Sequence, residues 1–147
     1  MIVLDYIDFL AYEDVMKKYF TSLGLQAESI AALQRISYIE MTPIQEEALP
    51  IMLLGRDVVG QAMTGSGKTA AFGLALIHHI DVEAVVQAMI LCPTRELAEQ
   101  VATEIRRLAQ CHHNIRVVTL CGGRSNRMQV QALDTGVQIV IGTPGRI

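Results

Sequence analysis

The stretch QAMTGSGKTAAFG, residues 61–73, contains the residue types that surround a phosphate chain. Gly65 and Gly67 let the backbone turn its N–H groups toward a phosphate, and Lys68 is long enough to reach the β- and γ-phosphates of a nucleotide. The hydroxyl of Thr69 is of the kind that holds the magnesium ion of a bound nucleotide. The alternative interpretation is a glycine-rich turn with a solvated lysine.

The segments on either side of this loop favour the first interpretation. A short apolar run, DVVGQ (57–61), precedes the loop, and the apolar segment TAAFGLALIHHI (69–80) follows it. Strand, loop and helix in this order are the structural context of a phosphate-binding loop. We therefore expect a nucleotide or another phosphate compound to bind here.

Gln45 is a second residue with two possible uses. In the sequence Thr42-Pro43-Ile44-Gln45, threonine would be the N-cap of a helix, proline the first helical residue and Gln45 the reciprocal partner of a capping box. The glutamine amide also offers a donor and an acceptor side by side, which suits the edge of a base. The residues alone leave both roles open, and the two roles are compatible.

Four short apolar runs alternate with segments of helical spacing, and this alternation predicts an α/β fold with a parallel sheet and crossover helices. The runs are DVVGQ (57–61), QAMILC (87–92), IRVVTLC (115–121) and VQIVIG (137–142). Between the second and third runs, Leu97, Val101, Ile105 and Leu108 fall on one face of a helix that Thr94 would cap.

Composition limits the class of protein. The chain has 147 residues, of which 51% are apolar and 18% charged, and this balance fits one compact domain. The formal net charge of −3 provides no basic surface, so any contact with nucleic acid must be local. Three cysteines without a CxxC spacing and two adjacent histidine pairs indicate neither a disulfide framework nor a structural metal site. With no secretory signal and no run long enough to span a membrane, we expect a cytoplasmic protein.

Several motifs together resemble the amino-terminal RecA-like domain of DEAD-box RNA helicases. Ala62 stands where the general phosphate-loop pattern has glycine, and AMTGSGKTAAF is similar to the first motif of that family, in which alanine is usual. SYIEMTPIQ (37–45) resembles its Q motif, PTRELAEQ (93–100) its motif Ia, the doublet at 122–123 its GG motif, and TPGRI (143–147) its motif Ib. An unrelated phosphate-loop kinase or transporter ATPase is disfavoured by this set.

The resemblance covers residues 20–147 and leaves residues 1–19 as a leader outside it. Phe20 lies 25 residues before Gln45, which is the interval that the family shows for an isolated aromatic residue. Within the family, the segments around EMTPIQ, TGSGKTAAFGL, LCPTRELA and LCGG are most similar to the bacterial group dedicated to 23S ribosomal RNA. In the leader, Tyr12, Val15, Met16 and Tyr19 are spaced like a short amphipathic helix, with an unstructured leader as the alternative.

The resemblance assigns roles to individual residues. It implies that Phe20 packs on the adenine of ATP, that Gln45 hydrogen-bonds the edge of this base, and that Thr69 holds Mg²⁺ through the nucleotide. The residues implied to bind the phosphates are Thr64, Gly65, Ser66, Gly67, Lys68 and Thr69. The residues implied to hold the RNA backbone are Pro93, Thr94, Arg95, Gly122, Gly123, Thr143, Pro144, Gly145 and Arg146, with Arg124 adding local charge. Each arginine taken alone could instead be a solvated or salt-bridged surface residue.

The sequence departs from the usual Q motif at Ser37, where glycine is usual, and at Met41, where proline is often found. Both positions influence how Tyr38 and its loop are held, so we expect both to affect the affinity for the base.

The family's Asp-Glu-Ala-Asp and Ser-Ala-Thr motifs are not in the sequence, so no catalytic residue is expected within this chain. We expect nucleotide to be bound far better than it is hydrolysed. By resemblance, the strand with Ser-Ala-Thr would lie beside DVVGQ (57–61), so we expect the isolated chain to be marginally stable or prone to aggregation. The predicted function is the front part of an ATP-dependent RNA helicase, and the alternative is a non-catalytic module that binds nucleotide or RNA.

Overall fold

A computed structural model describes residues 18–83, 85–123 and 125–147. A 3-10 helix, Phe20–Leu23, precedes the regular elements. These are α1 (Ala27–Arg35), α2 (Pro43–Leu53), α3 (Lys68–His79), β1 (Ala88–Leu91), α4 (Arg95–Leu108), β2 (Val117–Leu120), α5 (Asn126–Asp134) and β3 (Ile139–Gly142). Of the helix predicted at Tyr12, Val15, Met16 and Tyr19, the first three positions lie outside the described residues, as does Arg124. Tyr19 is described and is not helical, because its backbone is extended and forms an isolated antiparallel bridge with Glu40.

The three strands form one parallel sheet in the order β1-β3-β2. Helix α4 connects β1 to β2, and α5 connects β2 to β3. The predicted α/β fold with crossover helices is therefore confirmed. The apolar runs at 87–92, 115–121 and 137–142 each contain one of these strands, as predicted.

The prediction of a strand at residues 57–61 is wrong, because these residues have no regular secondary structure. A strand requires a neighbouring strand to accept and donate its backbone hydrogen bonds, and no described strand pairs with this segment. Val59 is consequently fully exposed. On β1, which pairs on one side only with β3, Met89 and Leu91 are also 57% exposed.

The two faces of the sheet are covered by different helices. Ile139 and Ile141 of β3 pack with apolar residues of α4, whereas Val140 packs in a separate apolar cluster that includes Leu133 of α5. Since successive side chains of a strand point to opposite faces, α4 and α5 lie on opposite sides of the sheet.

Helix α4 forms where the sequence predicts it. The Thr94 hydroxyl caps its N-terminus by accepting a hydrogen bond from the Leu97 N–H at 3.2 Å. Val101, Ile105 and Leu108 are buried, and Ile105 contributes to the core against the sheet. Helix α3 packs between α2 and α4, so the element that follows the predicted phosphate loop is held on both sides.

Candidate functional site

The predicted phosphate loop leads directly into the N-terminus of α3. Gly67 is the N-cap of this helix and has a φ of 90°, a left-handed conformation that favours glycine. A Cβ atom at Gly67 would lie 2.4 Å from Gln45 Nε2, so the close approach of α2 also requires glycine here. Backbone N–H groups at the start of a helix form a suitable site for an anion.

The Lys68 ammonium is held by the loop itself. Its Nζ donates hydrogen bonds to the carbonyl oxygens of Ala62 at 2.5 Å and Met63 at 2.6 Å. Ser66 Oγ, in contrast, is buried and has no hydrogen-bond partner in the described part of the chain. A positive charge and an unsatisfied hydroxyl beside a helix N-terminus fit a bound phosphate, which would give the hydroxyl a partner and the ammonium an anionic one.

Gln45 connects α2 to this loop. The side chain is only 2% exposed. Its Oε1 accepts a hydrogen bond from the Thr42 N–H at 2.9 Å, which confirms the predicted capping box, and its Nε2 donates to the Gly67 carbonyl at 3.1 Å. The Thr42 hydroxyl donates to the Ser66 carbonyl at 2.7 Å. Two neighbouring carbonyl groups of the loop are thus fixed by the first turn of α2.

An open cleft of about 570 Å³ runs along the phosphate loop, a size that suits a small-molecule ligand. The polar face of α4 forms one wall of the cleft, and Tyr38 also lines it. The residues that line it are Tyr38, Thr64, Gly65, Ser66, Gly67, Lys68, Thr69, Ala70, Leu97, Gln100, Thr103, Glu104 and Arg107.

Tyr38 is held in this cleft by two residues of α4. Its hydroxyl donates to Glu104 Oε1 at 3.1 Å, and the Arg107 guanidinium lies 5.9 Å from the centre of its ring. Arg107 also forms an ion pair with Glu104 at 3.5 Å. Burial raises the pKa of Tyr38, and the neighbouring Glu104 carboxylate raises it further, so the phenol stays protonated at neutral pH.

Phe20 does not line the phosphate cleft. It is 2% exposed and packs in the core with Leu33 and Met41. It borders a separate cavity of about 300 Å³, to which Tyr38 and Ile39 also contribute. Tyr38, in contrast, lines the cleft beside the phosphate loop, and stacking of Phe20 on a base stays a prediction.

The segments predicted to hold RNA meet at one edge of the sheet. Residues 93–95 follow β1, residues 122–123 follow β2, and residues 143–146 follow β3. Because the strands are parallel, all three segments extend from the carboxyl end of the sheet, where ligands of open α/β sheets bind. Pro93, Thr94, Arg95, Gly123, Pro144 and Gly145 are exposed, and Gly122, Thr143 and Arg146 are half-buried.

Two arginines connect these segments. The Arg95 guanidinium packs on Gly123, whose φ is 78°, and a Cβ atom at that glycine would lie 2.5 Å from Arg95 Nη1. Arg146 Nε donates to the Cys121 carbonyl at 3.2 Å. Charged side chains and backbone N–H groups of this kind bind phosphates without reading base sequence.

Glu104, Arg107 and Gln129 are site residues that sequence reasoning missed. Glu104 and Arg107 contact Tyr38 from a distant part of the chain. Gln129 of α5 donates a hydrogen bond to the Cys121 carbonyl, which lies outside the helix, so no helical spacing could have identified these residues. Within the described ranges, no three histidine, cysteine, aspartate or glutamate side chains are grouped so as to hold a metal ion. In the same ranges, no helix combines the length and apolar character needed to cross a membrane.

Comparison with known proteins gives consistent matches. A family model described as DEAD/DEAH box helicase matches residues 42–147. The chain is 48% identical over 133 residues to the ATP-dependent RNA helicase DbpA of Escherichia coli (strain K12), covering 90% of this chain and 29% of that protein. It is also 48% identical over 129 residues to the ATP-dependent RNA helicase CshA of Limosilactobacillus reuteri, covering 87% of this chain and 26% of that protein.

Solved structures give the same result for the fold. A DEAD box protein from the hyperthermophile Methanococcus jannaschii superposes with a TM-score of 0.83 at 39% identity, covering 87% of this chain and 35% of that one. Dbp5 of S. cerevisiae, bound to RNA and ADP BeF3, superposes with a TM-score of 0.77 at 31% identity, covering 88% of this chain and 32% of that one. The chain thus spans 26% to 35% of the length of these relatives.

Proposed function

Because the chain belongs to the DEAD/DEAH box helicase family, we propose that it is the ATP-binding and RNA-binding front part of an ATP-dependent RNA helicase. The observation that carries the proposal is the phosphate loop, in which a lysine ammonium and an unsatisfied serine hydroxyl lie at the N-terminus of α3. The longer protein would couple ATP hydrolysis to the separation of short RNA duplexes.

The nucleotide would occupy the cleft beside the phosphate loop. Lys68 would exchange its bonds to the Ala62 and Met63 carbonyls for phosphate oxygens, and the N–H groups of the loop and of the first turn of α3 would donate to the same phosphates. A magnesium ion bound with the nucleotide would neutralise part of the phosphate charge, and Thr69 is the residue of this chain that would hold it. Gln45, already bonded to Gly67, would keep the loop in place and contact the adenine.

RNA would bind at the carboxyl edge of the sheet, through its sugar-phosphate backbone. Arg95 and Arg146 supply positive charge there, and Gly122 and Gly123 allow close approach of a phosphate to backbone N–H groups. A site of this kind binds RNA of any sequence, and a local contact through a few arginines fits a chain whose formal net charge is −3.

Two finer assignments belong to the same proposal. The likeness to the bacterial group dedicated to 23S ribosomal RNA suggests a cytoplasmic role in ribosome assembly. Identity is the same, 48%, to DbpA and to CshA, so overall identity does not favour one group of relatives. Because no catalytic residue is proposed within this chain, we expect it to bind ATP and ADP without appreciable turnover.

Calorimetric titration of the chain with ADP tests the proposal. Lys68→Ala removes a charge-assisted contact of roughly 1.5–3 kcal/mol, which corresponds to about 10- to 100-fold weaker ADP binding. Lys18→Ala, which removes an exposed lysine outside the cleft, is the matched control and should bind ADP like the wild type. Equal ADP affinity of the Lys68→Ala variant and the wild type, with both folded by circular dichroism, would rule out the phosphate loop as the nucleotide site.

A further inference from the structure

The Cys121 carbonyl accepts hydrogen bonds from two side chains that lie in different parts of the fold. Gln129 Nε2, on α5, donates a hydrogen bond to it at 3.0 Å, and Arg146 Nε, after β3, donates another at 3.2 Å. Cys121 is itself 1% exposed and immediately precedes Gly122 and Gly123. The entrance to the glycine doublet is therefore held from two sides.

Gln129 is an unusual residue for this position. It is the buried residue of α5, with 7% of its surface exposed, and its Oε1 has no hydrogen-bond partner among the residues that the structure describes. A buried amide that satisfies half of its hydrogen-bonding groups is less favourable than an apolar side chain of the same size. The stability of α5 thus gives no reason for glutamine here, whereas the bond to Cys121 does.

The planarity of the peptide unit connects this bond to the glycine doublet. The carbonyl of Cys121 and the N–H of Gly122 belong to one trans peptide, so they point in opposite directions within one plane. Fixing the carbonyl toward Gln129 and Arg146 fixes the direction in which the Gly122 N–H is presented. The same carbonyl also fixes the orientation of the Arg146 guanidinium, because it accepts the hydrogen bond from Arg146 Nε.

We propose that Gln129 is a positioning residue of the RNA site, which sets the direction of the Gly122 N–H and of the Arg146 guanidinium, so that the two groups contact different phosphates of the RNA backbone. The inference rests on the proposed function, because it assigns RNA to the carboxyl edge of the sheet. Gln129 is buried and would act through Cys121, without touching the RNA.

The test compares Gln129→Met with Gln131→Met in the complete chain. Methionine has a similar length and cannot donate to Cys121, and Gln131 is an exposed glutamine of the same helix. Affinity for a fluorescently labelled single-stranded RNA oligonucleotide is measured over a range of salt concentrations, together with ADP affinity and the melting temperature.

Gln129→Met is expected to weaken RNA binding about 3- to 10-fold, because a misdirected Gly122 N–H would lose roughly one neutral hydrogen bond to the RNA backbone. The slope of log K against log salt should become shallower by about 0.7, the value for one phosphate contact on a single strand. ADP affinity and melting temperature should match those of the wild type, and Gln131→Met should match it in every assay. Gln129→Leu, which also cannot donate to Cys121 and introduces no charge at this buried position, should reproduce the RNA defect and serves if the methionine variant does not fold.

Three results would overturn the inference. Wild-type RNA affinity and salt slope in a folded Gln129 variant would show that the bond to Cys121 does not position the site. A parallel loss of RNA binding, ADP binding and thermal stability would show a purely structural role. Failure of the wild-type chain to bind RNA would instead remove the proposed RNA site, and the role of Gln129 with it.

Discussion

Replacing Gln45 by alanine separates two roles that the sequence leaves open. In the structure both ends of the amide already have partners within the chain, at Thr42 and at Gly67. A purely base-reading role predicts that ADP binding falls while GDP binding does not change. Because the amide also holds the phosphate loop, we expect both nucleotides to bind more weakly, with the larger loss for ADP.

The magnitude follows from the bonds that the substitution removes. Loss of the Nε2 bond to the Gly67 carbonyl, roughly 1 kcal/mol for a neutral hydrogen bond, should weaken ADP and GDP alike by about 5-fold. A base contact of similar strength would bring the loss for ADP to about 30-fold. The unfolding free energy should also fall by about 2–4 kcal/mol, because the capping box is lost and two partly buried backbone groups lose their partner.

Calorimetric titration of ADP and of GDP into the folded variant distinguishes base recognition from holding of the phosphate loop. Gln131→Ala, on the exposed face of α5, is the glutamine control. Unchanged GDP affinity would refute the role of Gln45 in holding the loop and leave base recognition alone. Unchanged affinity for both nucleotides would refute both roles.

Two further predictions concern stability. Ser37 has a φ of 59°, a left-handed conformation that costs a non-glycine residue energy, so Ser37→Gly should raise the unfolding free energy by about 0.5–1 kcal/mol in a thermal melt, and a decrease would contradict this account. His112 Nε2 lies 2.9 Å from Ser29 Oγ, and burial lowers the pKa of His112 against the opposing effect of Glu28. Its contribution to stability should be complete above the unfolded pKa of about 6.5 and be lost as the pH falls through the lower folded value. Melting curves from pH 5 to 8 should show this loss in the wild type and less of it in His112→Gln, and identical pH profiles would contradict it.

The parts of the site that could be predicted from sequence are those in which the partners are close along the chain. Thr94 caps α4 through a residue three positions later, and Thr42 and Gln45 form their capping box over the same interval. Local spacing fixes such contacts, because a helix brings these positions together wherever it lies in the fold.

The parts that could not be predicted depend on partners in other elements, which no regular spacing along one helix or strand connects. Residues 57–61 have the composition of a strand, but composition does not supply a neighbouring strand, and Val59 is fully exposed. Tyr38 meets Glu104 across 66 residues, and a lone tyrosine contains no signal for that partner. Gln129 resembles any other helical glutamine until its buried contact with Cys121 is seen.

Helix α4 relates the two proposed binding regions to each other. Its first residue, Arg95, packs on Gly123 at the carboxyl edge of the sheet, while Glu104, in its third turn, holds Tyr38 beside the phosphate loop. Because close-packed elements transmit strain, we expect this capped helix of 14 residues, packed against both α3 and the sheet, to move as one unit. A displacement of α4 at the proposed RNA site would therefore stretch the bond between Glu104 and Tyr38 or shift this wall of the proposed nucleotide cleft, so we expect a change at one region to affect the other.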